Sequence, residues 1–188
     1  MGRLISNMMA DNDAELVKKA VHGDTRAFED LVNRHYTTMF KMAFKWCGNR
    51  ADAEDITQAA CIKLARALAS YEHKAAFTTW LYRLVINTAI DMKRAEQRHD
   101  HAQAEMEELP GSSNPESALY AREMMAQIGK LPPKEKTALL LVFGEGLSHA
   151  EAAYAMEVKE STVSWYIHEA RKKLEQFETR QNKERHHG

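Results

Sequence analysis

Residues 162–174, with the sequence TVSWYIHEARKKL, combine two kinds of side chain at helical spacing. The apolar residues follow one another at steps of four, three, four and three and so share one helix face: Val163, Ile167, Ala170, Leu174 and Phe177. The other face carries groups that can hydrogen-bond, stack or attract phosphate: Ser164, Trp165, His168, Arg171 and Lys172. A tryptophan on this face indicates that it binds a partner, either nucleic acid or protein.

Few residues in the sequence indicate catalysis or metal binding. The two cysteines, Cys47 and Cys61, have no CxxC spacing, so they indicate neither a disulfide framework nor a zinc site. His99 and His101 lack a cysteine or carboxylate partner at ligand spacing on a defined element. The sequence contains no glycine-rich phosphate loop and no nucleophile motif. We therefore expect no catalysis, no cofactor and no metal.

Composition narrows both the class of protein and the kind of nucleic-acid contact. The 188 residues suffice for one ordinary domain or two small ones, and 44% hydrophobic with 28% charged residues is typical of globular proteins. No segment approaches the ~20 apolar residues of a membrane span, and the N-terminus lacks the apolar run of a signal peptide. We therefore expect a cytoplasmic protein without membrane insertion. Because the net charge is −1, any DNA contact must use local basic patches.

Helical periodicity dominates the sequence, so the predicted fold is all-α with two small domains. Four amphipathic helices with short connections predict a bundle over residues 11–98. Residues 99–116 hold five carboxylates, no lysine or arginine and a Pro-Gly-Ser-Ser-Asn-Pro run, which is typical of a flexible linker. The second domain is expected over residues 117–179. The two ends, residues 1–10 and 180–188, are expected to be disordered.

The second domain ends in the pattern of a helix-turn-helix. Ser148 is predicted to cap the short helix HAEAAYAM, and Ser161 is predicted to cap the helix that carries the two-faced pattern. The four residues EVKE form the predicted turn between the two helices. A tight turn between two short helices is the arrangement with which many proteins place one helix in the major groove of DNA.

Four segments of the chain occur in the order found in one protein family: GDTRAFEDLVNRHY, ADAEDITQAACIKLARAL, FTTWLYRLVINTAIDMKR and LPPKEKTALLLVFGEGLSHAEAAYAMEVKESTVSWYIHEARKKL. Through them the chain resembles the extracytoplasmic-function (ECF) sigma factors of bacterial RNA polymerase. The resemblance implies that the first domain binds the polymerase clamp and opens the minus-ten element, while the second reads the minus-35 element. The implied partners are core polymerase (the clamp of the largest subunit and the flap of the second), promoter DNA and an anti-sigma factor.

The resemblance places the clamp contact at the start of the third predicted helix, on Asp52, Glu54, Asp55 and Gln58. The alternative is that these acids only complement the helix dipole. The sequence departs from the family pattern at residues 59–61, where Ala-Ala-Cys replaces a more common acidic and aromatic run. This departure bears on the details of the contact and not on its location.

The resemblance also implies a minus-ten site in the loop SYEHKAAF, residues 70–77, where the family captures a base flipped out of the melted strand. Stacking and edge hydrogen bonds hold such bases, and the loop offers Tyr71, His73 and Lys74. Asn87 matches a base-contacting position, although its amide could instead satisfy local backbone groups. Phosphate contacts are expected from three basic residues: Lys93, Arg94 and Arg98. The alternative is that these residues only form a charged face exposed to solvent. Trp80 lies on the apolar stripe and is expected in the core.

The minus-35 site is expected on the two-faced helix, at Ser161, Thr162, Ser164, Trp165, His168, Arg171 and Lys172. The chain has Ser164, Tyr166 and Glu169 where the family often has basic residues, so Lys159, Arg171, Lys172 and Lys173 are left to attract phosphate. Trp165 is expected to pack against thymine methyl groups, with docking on polymerase or an anti-sigma factor as the alternative. Tyr166 is expected to lean on the core.

Three functions remain open from the sequence. The leading one is an alternative sigma factor that initiates transcription of a stress or envelope-type regulon under an anti-sigma factor. The second is a sigma-like decoy that sequesters an anti-sigma factor, which the loss of basic residues in the last helix favours. The third is an ordinary helix-turn-helix regulator, which leaves the first bundle and the acidic linker unexplained.

Overall fold

The computed structural model describes residues 13–96 and 123–185, with side chains described as far as residue 176. Within these ranges every regular element is helical, and the predicted all-α fold is confirmed. The helices are α1 (13–21), α2 (Thr25–Cys47), α3 (Arg50–Ala67), α4 (Phe77–Glu96), α5 (123–129), α6 (Pro133–Leu139), α7 (His149–Met156) and α8 (Glu160–Arg185). A 3₁₀ turn (Leu68–Ser70) follows α3, and a π-helical turn (Leu140–Gly144) follows α6.

The chain divides into two compact units. The first comprises Met1–Ala43 and Ala51–His99, and the second comprises Phe44–Arg50 and Asp100–Gly188. The sequence-based expectations for residues 1–10 and for the linker at 99–116 lie outside the described residues, as do Arg98, His99 and His101.

The core of the first unit is built from the apolar faces of its helices. Its largest fully buried side chains are Leu31, Met39, Met42, Leu64, Trp80, Leu81 and Val85. Trp80 is only 2% exposed, which confirms that it packs in the core rather than standing out from α4. Its ring lies against Phe77, the first residue of α4, at 5.7 Å between centroids. The start of α4 is therefore held by aromatic packing directly beside the loop that precedes it.

The second unit contains the helix-turn-helix. Leu141, Ala152, Val163 and Ala170 are fully buried and supply its core from the π-helical turn, α7 and α8. Ser148 caps α7 as predicted: its hydroxyl accepts from the Glu151 amide, and the Glu151 carboxylate accepts from the Ser148 amide at 2.8 Å. This reciprocal capping box satisfies two amides that the first turn would otherwise leave without a partner.

The predicted cap at Ser161 is wrong, because α8 begins at Glu160, two residues before the start that a cap at Ser161 requires. The carbonyl oxygen of Lys159 already accepts hydrogen bonds from the Thr162 amide at 2.9 Å and from the Val163 amide at 3.2 Å. Lys159 is therefore the capping position, and Ser161 lies inside the first helical turn. The turn between α7 and α8 begins at Glu157, whose φ of 55° is in the left-handed region.

The far end of α8 also differs from the expectation. The helix continues to Arg185, so residues 180–185, predicted to belong to a disordered tail, are helical. The physical reason is that the segment between 160 and 185 contains no glycine or proline and is rich in Glu, Gln, Lys and Arg, which favour helix.

The two serines make a matched test of the helix-turn-helix geometry. Ser148→Ala should destabilise α7 by about 1 kcal/mol, because it removes the acceptor for the Glu151 amide. Ser161→Ala should change the stability of α8 by less than about 0.5 kcal/mol, since a serine inside a helix can be replaced by the better helix former. Hydrogen exchange of the α7 and α8 amides measures both effects. Equal loss of protection in the two variants would contradict the assigned cap.

Candidate nucleic-acid interface

The loop at residues 70–77 is folded on an aromatic base. Tyr71 is half-buried; its ring lies 5.3 Å from Phe77 and 5.5 Å from Trp80, and its hydroxyl donates to the Ala75 carbonyl oxygen at 2.7 Å. His73 is exposed, its backbone is left-handed with φ at 57°, and its ring lies 4.4 Å from that of Tyr71. Tyr71 thus shapes the loop from within, while His73 and Lys74 are exposed at its tip.

Lys74 forms an ion pair with Glu72 inside the loop. Both side chains are largely exposed, at 68% and 64%. The hydrogen bond from Lys74 and its positive charge hold the pKa of Glu72 below its usual value. Exposed ion pairs are weak because water screens them, so an incoming phosphate can displace Glu72 from the ammonium group at little cost.

The exposed face of α4 carries the amide and basic groups expected near a nucleic-acid backbone. Asn87 and Arg94 are exposed and lie seven residues apart, on one face, while Lys93 is exposed about a quarter turn away. Asp91, the acid beside them, forms an ion pair with Lys63 of α3 at 2.9 Å. This pairing offsets a charge that would otherwise repel phosphate at this face.

The start of α3 presents a second surface in the first unit. Asp55 and Gln58 are exposed, whereas Asp52 and Glu54 are partly covered. Ile62 continues the same face one turn later and is 59% exposed, which is unusual for an isoleucine. Ile62 was not among the residues predicted from the sequence, although it lies four residues after Gln58, on the same helix face.

In the second unit, the structure brings most of the predicted minus-35 residues to one exposed face of α8: Ser161, Ser164, Trp165, His168, Arg171 and Lys172. Thr162 is partly covered. Trp165 is 55% exposed, whereas Tyr166 is buried, which confirms that Tyr166 leans on the core. The two rings lie 5.3 Å apart, so Tyr166 supports the base of the exposed tryptophan.

Ser164 is already partly engaged within the helix-turn-helix. Its hydroxyl donates to the Glu160 carbonyl oxygen at 3.2 Å and lies 2.9 Å from Nδ1 of His149, the first residue of α7. His149 was missed by the sequence analysis, because only the folded turn between α7 and α8 brings it beside Ser164. Together the two side chains link the helices at the edge of the exposed face.

The basic run at 171–173 is only partly available to DNA. Lys173 donates to both carboxylate oxygens of the buried Glu135, at 2.6 and 2.8 Å, so its expected role in attracting phosphate is corrected to a structural one. Arg171 places its guanidinium 5.0 Å from the ring centroid of Phe143, an exposed residue of the π-helical turn. The buried Glu135 carboxylate requires the Lys173 ammonium group, because a buried carboxylate left unpaired costs ~3–5 kcal/mol.

Metal and thiol chemistry receive no support from the described residues. In residues 13–96 and 123–185, no cluster of three or more His, Cys, Asp or Glu side chains could hold a metal ion. Burial raises the pKa of the Cys61 thiol, which lowers the fraction of reactive thiolate. None of the helices described is long and apolar enough to cross a membrane.

Comparison with known proteins identifies both units. The family model of Sigma-70 region 2 matches residues 31–99, and that of Sigma-70 region 4 matches residues 121–174. The chain is 30% identical over 158 residues to the ECF RNA polymerase sigma factor SigE of Mycolicibacterium smegmatis, covering 80% of this chain and 61% of that relative. It is 33% identical over 177 residues to the ECF RNA polymerase sigma-E factor of Escherichia coli K12, covering 87% of this chain and 92% of that relative.

The fold is similar to that of a solved sigma factor. The structure of RpoE from Bartonella quintana, determined in complex with the anti-sigma factor NepR, aligns with a TM-score of 0.66 at 16% identity and covers 81% of this chain and 96% of that one. At that identity the likeness establishes the fold alone. Since regions 2 and 4 match in order and the Escherichia coli relative is matched over nearly its whole length, the chain belongs to the ECF sigma factors of RNA polymerase.

Proposed function

We propose that this chain is an alternative sigma factor that binds core RNA polymerase, recognises the minus-35 and minus-ten elements and initiates transcription of a stress or envelope-type regulon. The observation that carries this proposal is the pair of exposed polar and aromatic faces, one on region 2 and one on region 4 of a single chain. The protein acts in the cytoplasm under an anti-sigma factor. Bond formation belongs to the core enzyme, so the chain itself is not an enzyme.

In the first unit, the loop at 70–77 captures a base from the melted strand. His73 offers a ring for stacking and a nitrogen for hydrogen bonding, and Lys74 exchanges Glu72 for a phosphate. The Asn87 amide, which can donate and accept, reads a base edge, while Lys93 and Arg94 contact the backbone. These contacts offset the few kcal/mol (~2–4) that unstacking a base costs.

The remaining contacts divide between DNA and polymerase. The exposed face of α3 at Asp55 and Gln58, with Asp52 and Glu54 at its edge, docks on the clamp of the largest subunit. Helix α8 lies in the major groove of the minus-35 element, where Trp165 packs against thymine methyl groups and His168 reaches base edges. The second unit also contacts the flap of the second-largest subunit.

A decoy for an anti-sigma factor is the second candidate, and one observation favours it. Lys173 is bound to Glu135 and Arg171 lies over Phe143, so α8 offers fewer unengaged cations than its sequence suggests. Run-off transcription with purified core polymerase separates the candidates. A sigma factor gives a transcript from a promoter with both elements, a decoy gives none, and an ordinary helix-turn-helix regulator requires another sigma factor.

The clamp contact is tested by Asp55→Lys combined with Gln58→Ala. Both residues are exposed, so the pair should weaken core binding at least tenfold while leaving the helical content unchanged. Asp30→Lys, an equal charge reversal at an exposed position of α2, serves as the control and should bind core normally. Competition for core polymerase measures the affinities. Unchanged affinity of the double variant would show that α3 does not dock on the clamp.

Base capture is tested by Lys74→Ala and Asn87→Ala, with Lys18→Ala, an exposed lysine of α1, as the control. Both test variants should reduce transcription from duplex promoters. Asn87→Ala should in addition alter the preference among minus-ten sequences, because it removes a base-edge contact worth about 1–3 kcal/mol. A promoter that is already mismatched at minus-ten should restore melting but not the base preference. If Asn87→Ala lowers transcription equally on every minus-ten sequence, it contacts phosphate and does not read a base.

The minus-35 contact is tested by Trp165→Ala and Lys172→Ala. The tryptophan variant should lose about 1–3 kcal/mol of promoter affinity and change the minus-35 preference, since it removes one readout contact. The lysine variant should weaken all sequences evenly and reduce the salt slope of binding by about 1. Titration of holoenzyme against promoter DNA at several salt concentrations measures both. If Trp165→Ala keeps promoter affinity and preference but loses an anti-sigma factor, Trp165 is a protein contact.

A further inference from the structure

The first residue that the structure describes, Asp13, is a buried carboxylate at the start of α1. It is 5% exposed, and each oxygen has a partner: Oδ1 accepts from Arg34 Nη1 at 2.8 Å, and Oδ2 lies 2.9 Å from His35 Nε2. Burying a carboxylate adds little to the free energy of unfolding, even when both of its oxygens accept hydrogen bonds. Val17, one turn later and also buried, already attaches α1 to the core. The Asp13 contact therefore fixes an orientation rather than supplying the attachment.

The residue whose orientation it fixes is His35. The His35 side chain is almost wholly buried, and its ring meets that of Phe77 edge to face, with centroids 5.2 Å apart and planes at 66°. The hydrogen bond at Nε2 determines how the imidazole can lie against Phe77. Edge-to-face aromatic packing depends on this relative orientation, so a change at Asp13 is transmitted to Phe77.

Phe77 carries the series of contacts into the loop. Its ring meets Tyr71 edge to face at 5.3 Å, and the Tyr71 hydroxyl holds the Ala75 carbonyl oxygen. The Tyr71 ring in turn lies 4.4 Å from His73, whose left-handed backbone is uncommon for a residue other than glycine. Such a conformation persists only where the surrounding contacts fix it. The packed series Asp13, His35, Phe77, Tyr71 and His73 therefore runs without a break from α1 to the tip of the loop.

Resting on the function proposed above, we propose that Asp13 and His35 are positioning residues for base capture, through which α1 sets the shape of the 70–77 loop. Neither residue touches DNA. They act by holding Phe77 and Tyr71 in the arrangement that presents His73 to the flipped base. A residue with only a stabilising role would lower transcription equally on every promoter, whereas a positioning role changes which minus-ten base is preferred.

The test uses the full chain assembled with core polymerase and a set of promoters that differ only in the minus-ten bases. Asp13→Asn keeps the side-chain size but removes the charge that binds Arg34 and His35. Glu15→Gln is the matched control, because it neutralises an exposed carboxylate of the same helix, paired with Lys19. The ratio of open-complex formation between the preferred base and its alternatives should fall about two- to thirtyfold in Asp13→Asn and stay unchanged in Glu15→Gln.

A second variant separates the link to the loop from the attachment of α1. His35→Gln keeps a hydrogen-bond donor for Asp13 but removes the ring that meets Phe77, so it should lower the same ratio. Hydrogen exchange of the amides at 71–76 should be faster in Asp13→Asn and in His35→Gln than in the wild-type chain and the control. This measurement requires no DNA, so it holds even where a variant assembles poorly with core.

The outcomes distinguish this inference from the function on which it rests. An equal loss on every minus-ten sequence, or an unchanged ratio together with unchanged exchange at 71–76, overturns the positioning role. If Asn87→Ala alters base preference while Asp13→Asn and His35→Gln do not, only the positioning role is removed. If wild-type holoenzyme shows no minus-ten preference, both the proposed function and this inference are contradicted.

Discussion

The packing of Phe77 is the contact on which the first unit's exposed chemistry depends. Its ring stands where the loop meets α4, and it touches His35 on one side and Tyr71 and Trp80 on the others. The loop is short and mostly polar, so it could not hold a shape by burying its own side chains. Aromatic rings beneath it supply that shape, and His73 and Lys74 are exposed above them. The exposed side chains of the loop are thus positioned by the aromatic core beneath them.

In the second unit, two of the basic side chains of α8 are engaged by residues of the unit itself. Glu135 is buried and paired with Lys173, and the Arg171 guanidinium lies over the ring of the exposed Phe143. Helix α8 consequently presents a surface that is rich in hydrogen-bonding and aromatic groups and poor in net positive charge. In the proposed complex with DNA, binding through this surface would depend on shape and base edges more than on counterion release.

Much of this architecture could be predicted from the sequence because helical periodicity records burial directly. The stripe through Val163, Ile167 and Ala170 faces the core, and the residues opposite are exposed, as the spacing required. Trp80 and Tyr166 were assigned to the core by the same reasoning. Helix ends were harder: Ser148 and Ser161 look alike in sequence, and only the backbone hydrogen bonds to Lys159 show which of them is a cap.

Contacts between residues distant in sequence could not be predicted. Nothing in the chain order indicates that Lys173 binds Glu135, that His149 lies beside Ser164, or that Asp13 meets His35. These pairs form only when helices pack, and each changes what the neighbouring residues can do. The family resemblance supplies the positions at which contacts with DNA and polymerase are expected, but it carries no information on which side chains are already engaged.

The ion pair between Glu72 and Lys74 has a consequence for the end of initiation. In the proposed complex the loop must return the base and phosphate when polymerase leaves the promoter. Glu72 is tethered two residues from the ammonium group, so it acts as an intramolecular competitor whose effective concentration does not fall on dilution. The same carboxylate that weakens capture therefore speeds release. In the proposed complex, such a loop favours release of the base over prolonged residence on DNA.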